Sequence, residues 1–312
     1  MLALEERGPR DARTLGPGAD RSYDRPVTAR YRTQPQVHFA AFKTLEKRRV
    51  EAGNAIWAIL AGSQIAANTL VLTEGSQRTL SEIFPSVGHI RRFDLRSDRA
   101  RELLGTAEAD LSTMAMSYAI ALHEDFAKTC LSWLIPLGLV TRPQWRDART
   151  VNVHERLESA TRRSMQADSL ALFHYTRVIR NCHIHAGGRA SAELARQSAN
   201  LSFEQQRIWS DLTGEPFTPI SEGDPAAVGV GGLVATLAVG KRLSYEINLC
   251  LQLAIPRTVW ADMAAEEYFS THPRKGPRDP TACRSVRGYI RGRFDALQLS
   301  ESELQDAIAR RL

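Results

Sequence analysis

The sequence predicts an all-α protein of antiparallel helices, and three observations predict it. From Val37 onward, apolar residues recur at spacings of three and four through most of the chain. The periodic segments end at helix-stopping residues such as Pro136-Leu137-Gly138, Gly187-Gly188 and Gly214. The stretches between them are short and polar, which suits neighbouring helices packed side by side.

Taken in order, residues 1–35 are rich in Arg, Asp, Gly and Pro and lack apolar periodicity, so they are expected to form a disordered leader. "VHFAAFKTLEKRRVEAGNAIWAILAGSQIAANTLVL" predicts helix, with a break expected near Gly53 or Gly62. A connector through "GSQRTLSEIFPSVGHIRRFDLRSD" leads to a helix over about residues 99–135. "TRPQWRDART" reads as a loop. A helix over 153–165 follows, then the segment "ADSLALFHYTRVIRNCHIHA", which the two glycines close. "SFEQQRIWSDLTG" has a capping start and a glycine stop. "EPFTPISEGDPAAV" is too rich in proline for a helix, and its one regular piece would be short and extended. Residues 229–269 predict one or two helices, divided at Pro256. Residues 271–282 form a linker, and residues 283–312 a basic helical pair whose "SESEL" is a capping box built by Ser300 and Glu303. No internal repeat is present.

The totals bound the class of function. At 312 residues and 43% apolar content the chain can bury a substantial core. Its net charge is +6, and only five of its 41 basic residues are lysines (Lys43, Lys47, Lys128, Lys241, Lys275). Arginine's planar fork of donors suits phosphate, so the charge lends weak support to a nucleic-acid partner. The four cysteines Cys130, Cys182, Cys250 and Cys283 lie far apart, which argues against both a zinc site and a disulfide scaffold. The opening "MLALEERGPRDAR" has no apolar core of a signal peptide. "AAVGVGGLVATLAV", the best apolar run on this reading, is too short to span a bilayer. A cytoplasmic protein with no membrane partner is expected. P-loop, dinucleotide-binding, nucleophile-elbow and zinc-protease motifs are absent.

"RVIRNCHIHAGGRAS", residues 177–191, needs a reason beyond packing. On a helical wheel Ala171, Leu172, Tyr175, Val178, Ile179, Cys182 and Ala186 share one broad apolar arc. His174, Arg177, Asn181 and His185 gather on the opposite side, and the last three are successive i, i+4 neighbours. His183 falls on the apolar arc and is expected to be a packed, hydrogen-bonded structural histidine. Arg180 stands between the two faces, with a side chain long enough to reach either. By itself an Arg–His pair five residues apart is weak, since about one is expected by chance at this composition. Arg149 and His154 have the same spacing in a loop-like context. The asparagine after Arg180, the helical setting and the Gly-Gly stop set the later pair apart.

"IRNCHIHAGG" resembles the R-N-x-x-x-H signature of the HEPN superfamily, helical domains that include many metal-independent ribonucleases. The match comprises Arg180, Asn181, three intervening residues, His185 and the glycines ending the helix. "MSYAIALHEDFAKTCLSWL" resembles the earlier family helix that carries an acidic residue near the site, with Glu124 the better match and Asp125 the other. The resemblance covers roughly residues 100–255 and places a HEPN-like bundle, with added N- and C-terminal helices, within residues 36–270. It implies a cofactor-free, metal-independent endoribonuclease of the kind used in stress response or defence. It further implies a homodimer with a composite site, and it leaves room for a neutralising partner.

The chemistry suits these side chains. Attack of a 2′-hydroxyl on the adjacent phosphorus needs a base and an acid, and histidine can serve as either. A guanidinium can hold the negative charge that builds on the equatorial oxygens. On this reading His185 is the acid/base, Arg180 the phosphate clamp and Asn181 an orienting donor. Glu124, Arg177 and His174 are supporting residues. Arg284, Arg287 and Arg291, spaced i, i+3, i+7 with Tyr289 and Phe294 nearby, form a candidate RNA-docking row. A solvated polar face is the plain alternative for each of these groups. A non-catalytic RNA- or nucleotide-binding module is the alternative for the whole.

Overall fold

A computed structural model describes residues 34–226, 229–273, 276–278 and 280–311. Among the described residues the only β pairing is two isolated bridges, Thr79 with Arg96 and Arg189 with Pro225, and the rest of the regular structure is helical. The helices are α1 (Ala40–Leu70), α2 (Leu80–Ile83), α3 (Ser97–Ser132), α4 (Arg142–Arg146), α5 (Val153–Thr161) and α6 (Ala167–His185). They continue with α7 (Ala192–Asn200), α8 (Phe203–Thr213), α9 (Val230–Ala254), α10 (Arg257–Thr271), α11 (Ala282–Ile290) and α12 (Glu301–Ala309). The leader expected over residues 1–35 lies, apart from its last two residues, outside the described ones.

α1 and α3 pair along their length as an antiparallel hairpin. Arg48 lies 3.9 Å from Asp125 at one end of the pair, and Arg101 lies 3.5 Å from Glu74 at the other. α9 packs against α3, α6 and α8 and contributes the buried row Leu233, Val239, Leu243, Ile247 and Leu251. An aromatic cluster closes the base of the hairpin. Phe39 meets Trp133 edge-on at 4.8 Å, stacks parallel to Phe126 at 6.3 Å and lies 5.9 Å from the fully buried Trp260. Asn248 on α9 fixes the chain as it enters α1, donating to the carbonyl of Val37 at 2.8 Å and accepting from its N–H at 3.3 Å. That reciprocal pair satisfies backbone groups which burial would otherwise orphan.

Several local expectations need correction. Gly53 and Gly62 do not break α1, which runs unbroken for 31 residues. Each glycine costs a helix interior about 1 kcal/mol, and the helix, which pairs with α3 and is buried at Phe42, Leu45, Ala67 and Leu70, continues through both. "RPQWR" is a short helix rather than loop, because Thr141 and Gln144 form a reciprocal capping box around Pro143. The helix expected over 153–165 stops at Thr161, where Arg162 takes the left-handed conformation. Other signals appear as expected. Ser202 with Gln205, and Ser300 with Glu303, form capping boxes, and Gly214 ends α8 at φ 77°. Pro256 divides α9 from α10.

The apolar stretch most suited by length and composition to a bilayer is not residues 226–239, as the sequence reading had it, but Ala40–Thr73. Little of that helix is buried: Val50, Trp57, Ile59 and Ile65 are 52%, 46%, 53% and 66% exposed.

Candidate functional site

α6 begins where Glu246 of α9 accepts the backbone N–H of Gln166 at 2.5 Å. It buries Leu172, Phe173, Tyr175, Val178, Ile179 and Cys182, the arc the wheel assigns to the core. Ala186, placed on that arc by periodicity, is exposed because the helix ends one residue earlier. The end is tightly built. Gly187 and Gly188 take positive φ values of 58° and 77°, and Gly188 donates back to the carbonyl of Cys182 at 3.1 Å. The turn is then tied to the 221–226 segment, as Ala226 donates to the carbonyl of Gly188 at 2.8 Å and Ala190 to that of Asp224 at 2.8 Å. His183 completes the anchor. Its Nε2 donates to the carbonyl of Ala226 at 2.6 Å, the packed role expected of it.

This cap carries a prediction. A Cβ on Gly188 would stand 3.4 Å from Nδ1 of His183 in a left-handed backbone. Gly188→Ala should therefore lower stability by about 1–2 kcal/mol, read as a fall in the denaturation midpoint at unchanged slope. An unchanged midpoint would show that the turn relaxes freely.

Against that anchored turn, His185 is the last helical residue and its side chain is exposed. Five positions earlier, about 7.5 Å along the axis, Arg180 is half-buried. Its Nη1 donates to Oδ1 of Asn181 at 3.1 Å, and its Nε is buried with no hydrogen-bond partner. Among the described residues no carboxylate pairs with Arg180. Buried polar groups are nearly always satisfied; the Nε atoms of Arg180 and Arg177 are both exceptions, and of the two it is Arg177 that meets a carboxylate. Asn181 thus accepts from the guanidinium and holds it, where the sequence reading had it as an orienting donor.

The supporting residues are placed differently from the expected solvated stripe. Arg177 is only 12% exposed and meets Glu193 of α7 at 3.3 Å. Glu124 accepts the hydroxyl of Thr150, a local bond between α3 and the loop before α5, and pairs with neither Arg180 nor His185. His174 is half-buried, and burial first, then the charge of Arg177, holds its pKa below the usual histidine range.

Sequence reasoning missed a buried imidazole pair. His123 of α3 and His154 of α5 face each other with Nε2 to Nε2 at 2.8 Å and rings stacked at 5.1 Å. His174 stands edge-on to His154 at 6.2 Å, so three imidazoles run from the core to the flank of Arg177. Burial pushes His123 down to about 4 and His154 well below its ordinary value. His123 falls three residues after Ile120 and three before Phe126, a core position readable from the pattern. Its partner, 31 residues away, had no signal in the sequence. The decoy pair is structural: His154 is buried here, and Arg149 donates to the carbonyl of Ala148 at 2.9 Å.

In the C-terminal region Arg284, Arg287 and Arg291 are exposed while Val286 and Ile290 pack inward. Arg287 pairs with Glu301. α11 stops at Ile290, so Arg291 sits at its C-cap. Phe294, suggested as stacking surface, is fully buried against Trp260. Tyr289 donates to Glu267 at 3.0 Å. Around this row Arg257 is bound to Glu303, Arg310 to Asp262 and Arg311 to Glu266.

No protein-family model, curated protein or solved structure matches this chain. Its geometry is therefore the whole basis for a functional reading beyond the motif.

Proposed function

We propose that the protein is a metal-independent endoribonuclease of HEPN type, with Arg180 and His185 as its catalytic residues. One observation carries the reading: a half-buried guanidinium without a carboxylate, its Nε unsatisfied, stands on the same helix end as an exposed imidazole. A cation kept from internal neutralisation is suited to an external anion. The backbone behind it is held by Gly187, Gly188 and the His183 anchor, so both side chains project from a rigid base.

In this mechanism the 2′-hydroxyl of the RNA gives its proton to one His185 as O2′ bonds to phosphorus. The P–O5′ bond breaks, and the departing oxygen takes a proton from a second imidazole. Arg180, aimed by Asn181, stabilises the charge on the equatorial oxygens. The products are a 2′,3′-cyclic phosphate and a 5′-hydroxyl. One imidazole cannot be base and acid in the same step, so the second is His185 of another copy across a twofold axis, where one surface patch faces itself. Ile184, 53% exposed beside His185, is apolar surface that such an association would cover. Arg177 and His174 then act through the helix rather than on the phosphate, since one is paired with Glu193 and the other is held neutral.

The test is incubation of the purified chain with mixed RNA and with single-stranded DNA, each in EDTA. RNA fragments ending in a cyclic phosphate, with intact DNA, are the expected result. An uncut RNA pool that is nevertheless retained in a salt-sensitive manner would assign the site to binding without cleavage.

A further inference from the structure

A basic concavity lies where α3 gives way to α4. α3 ends at Ser132, the chain turns through Ile135, Pro136 and Gly138, and the Thr141–Gln144 capping box starts α4. The turn leaves a notch of about 280 Å³ lined by Ser132, Ile135, Pro136, Arg142, Trp145 and Arg146. Trp145 is half-buried, and its indole N–H donates to the carbonyl of Lys128 at 3.1 Å, which fixes the ring as part of the wall. Nζ of Lys128 stands 5.8 Å from the ring centre. Arg142 and Arg146 are exposed and four residues apart, about 6 Å along the helix axis.

These cations lack acidic partners. Among the described residues no carboxylate pairs with Lys128, Arg142 or Arg146, whereas Arg257, Arg287, Arg310 and Arg311 of the C-terminal region each meet one. Residues 141–163 hold six arginines against three acids. One of the three, Glu158, is taken up by the N–H of Met165 at 2.6 Å. A second cavity of about 250 Å³ is lined by Gln144 of α4 together with Asn152, Glu155 and Arg156. Arg156 is half-buried, and its Nε is buried with no hydrogen-bond partner.

We propose that the notch is a docking site for single-stranded RNA. One unstacked base lies against Trp145, Ile135 and Pro136, while Arg142 and Arg146 hold the phosphates beside it. Aromatic surface flanked by cations is what a single strand requires, because every base has a face to stack and a guanidinium fork suits phosphate. An acidic peptide would use the cations but leave the ring and its apolar neighbours idle. Arg156 then takes a further phosphate, and the exposed Glu155 can accept from a base amino group. Strand docking thereby moves to α4 from the C-terminal row, where Arg287 is bound to Glu301 and Phe294 is buried. The loop after α4 leads into α5, and His154 of α5 stands edge-on to His174 of α6 at 6.2 Å, so one short helix joins the notch to the helix of Arg180 and His185. The inference rests on the RNA reading of that helix and adds where the strand is held. Stacking and phosphate contacts do not require a 2′-hydroxyl, so single-stranded DNA should dock as well and stay intact.

That property supplies the test. Fluorescence anisotropy of a labelled single-stranded DNA oligonucleotide, titrated with the full chain in EDTA over a salt series, reads docking apart from cleavage. Binding is expected to weaken steeply with salt. Arg142→Ala with Arg146→Ala should flatten the slope of log Kd against log salt by about 1.4, the share of two phosphate contacts on a single strand. Trp145→Ala should weaken binding about five- to a hundredfold, and Trp145→Phe, which keeps a stacking face, should recover most of it. Wild-type affinity and slope in the double arginine variant would overturn the proposal. So would labelled polyglutamate binding as tightly as the oligonucleotide, which would assign the notch to an acidic protein segment. His185→Ala should bind RNA as tightly as wild type does the DNA. An uncut RNA pool with docking that still depends on Arg142 and Arg146 would remove the nuclease and keep the notch. RNA cut at wild-type kcat/KM by the double arginine variant would do the reverse.

Discussion

His185→Ala and Arg180→Ala are each expected to reduce RNA cleavage by about 10²–10⁴-fold, and the double variant by little more than the worse of the two. The range follows from what each group supplies: a positioned acid or base contributes about 10²–10⁴, and one preorganised donor to a developing oxyanion about 10²–10³. Non-additivity follows from their acting on one transition state. Folding is expected to be unaffected. His185 is exposed and, among the described residues, no hydrogen bond holds its ring, while Arg180 gives up its contact with Asn181. Arg180→Lys keeps the charge but loses the paired donors, so its rate should stay closer to the alanine variant than to wild type. Initial rates on a fluorescent oligoribonucleotide, beside circular dichroism of each variant, decide the matter. Cleavage surviving in both single variants at wild-type rate would remove the assignment and return the helix end to a solvated cap.

The second large effect is on stability in acid and belongs to His123 and His154. An unfolded histidine titrates near 6.5, whereas His123 in the fold is held down at about 4 and His154 is shifted the same way. Between those values the unfolded chain takes up protons that the folded one refuses. Stability should therefore be flat above about pH 6.5 and fall as the pH drops toward 4, by on the order of 3 kcal/mol from His123 alone. His154→Leu leaves Nε2 of His123 buried without its partner and should cost about 1–3 kcal/mol at neutral pH. Replacing both by leucine removes the stranded group and should recover most of that loss while flattening the acid limb. Urea denaturation between pH 4.5 and 7.5 measures both. A wild-type midpoint independent of pH would show that the pair opens to solvent before it titrates.

Features set by neighbouring residues were legible in the sequence. The Gly-Gly stop of α6, the capping boxes at Ser202 and Ser300 and the break at Pro256 all depend on groups within a few positions of each other, so spacing alone specifies them. The inward face of α6 could be read for the same reason, as could the structural role of His183. The misreadings arose where a distant contact outweighed a local preference. Gly53 and Gly62 disfavour helix locally, yet α1, which pairs with α3, continues through both. Ala186 satisfies the wheel of α6 but lies beyond its end.

For the candidate site, the chain's order alone determined that an arginine, an asparagine and a histidine share the last turns of one helix, because a 3.6-residue period and two left-handed glycines leave few alternatives. Only the tertiary structure decided which of the nearby charges remain unneutralised. Glu193 reaches Arg177 from α7, Thr150 takes up Glu124, and Arg180 is left with a neutral amide. Those pairings depend on how separate helices approach one another, and sequence separation carries no information about that.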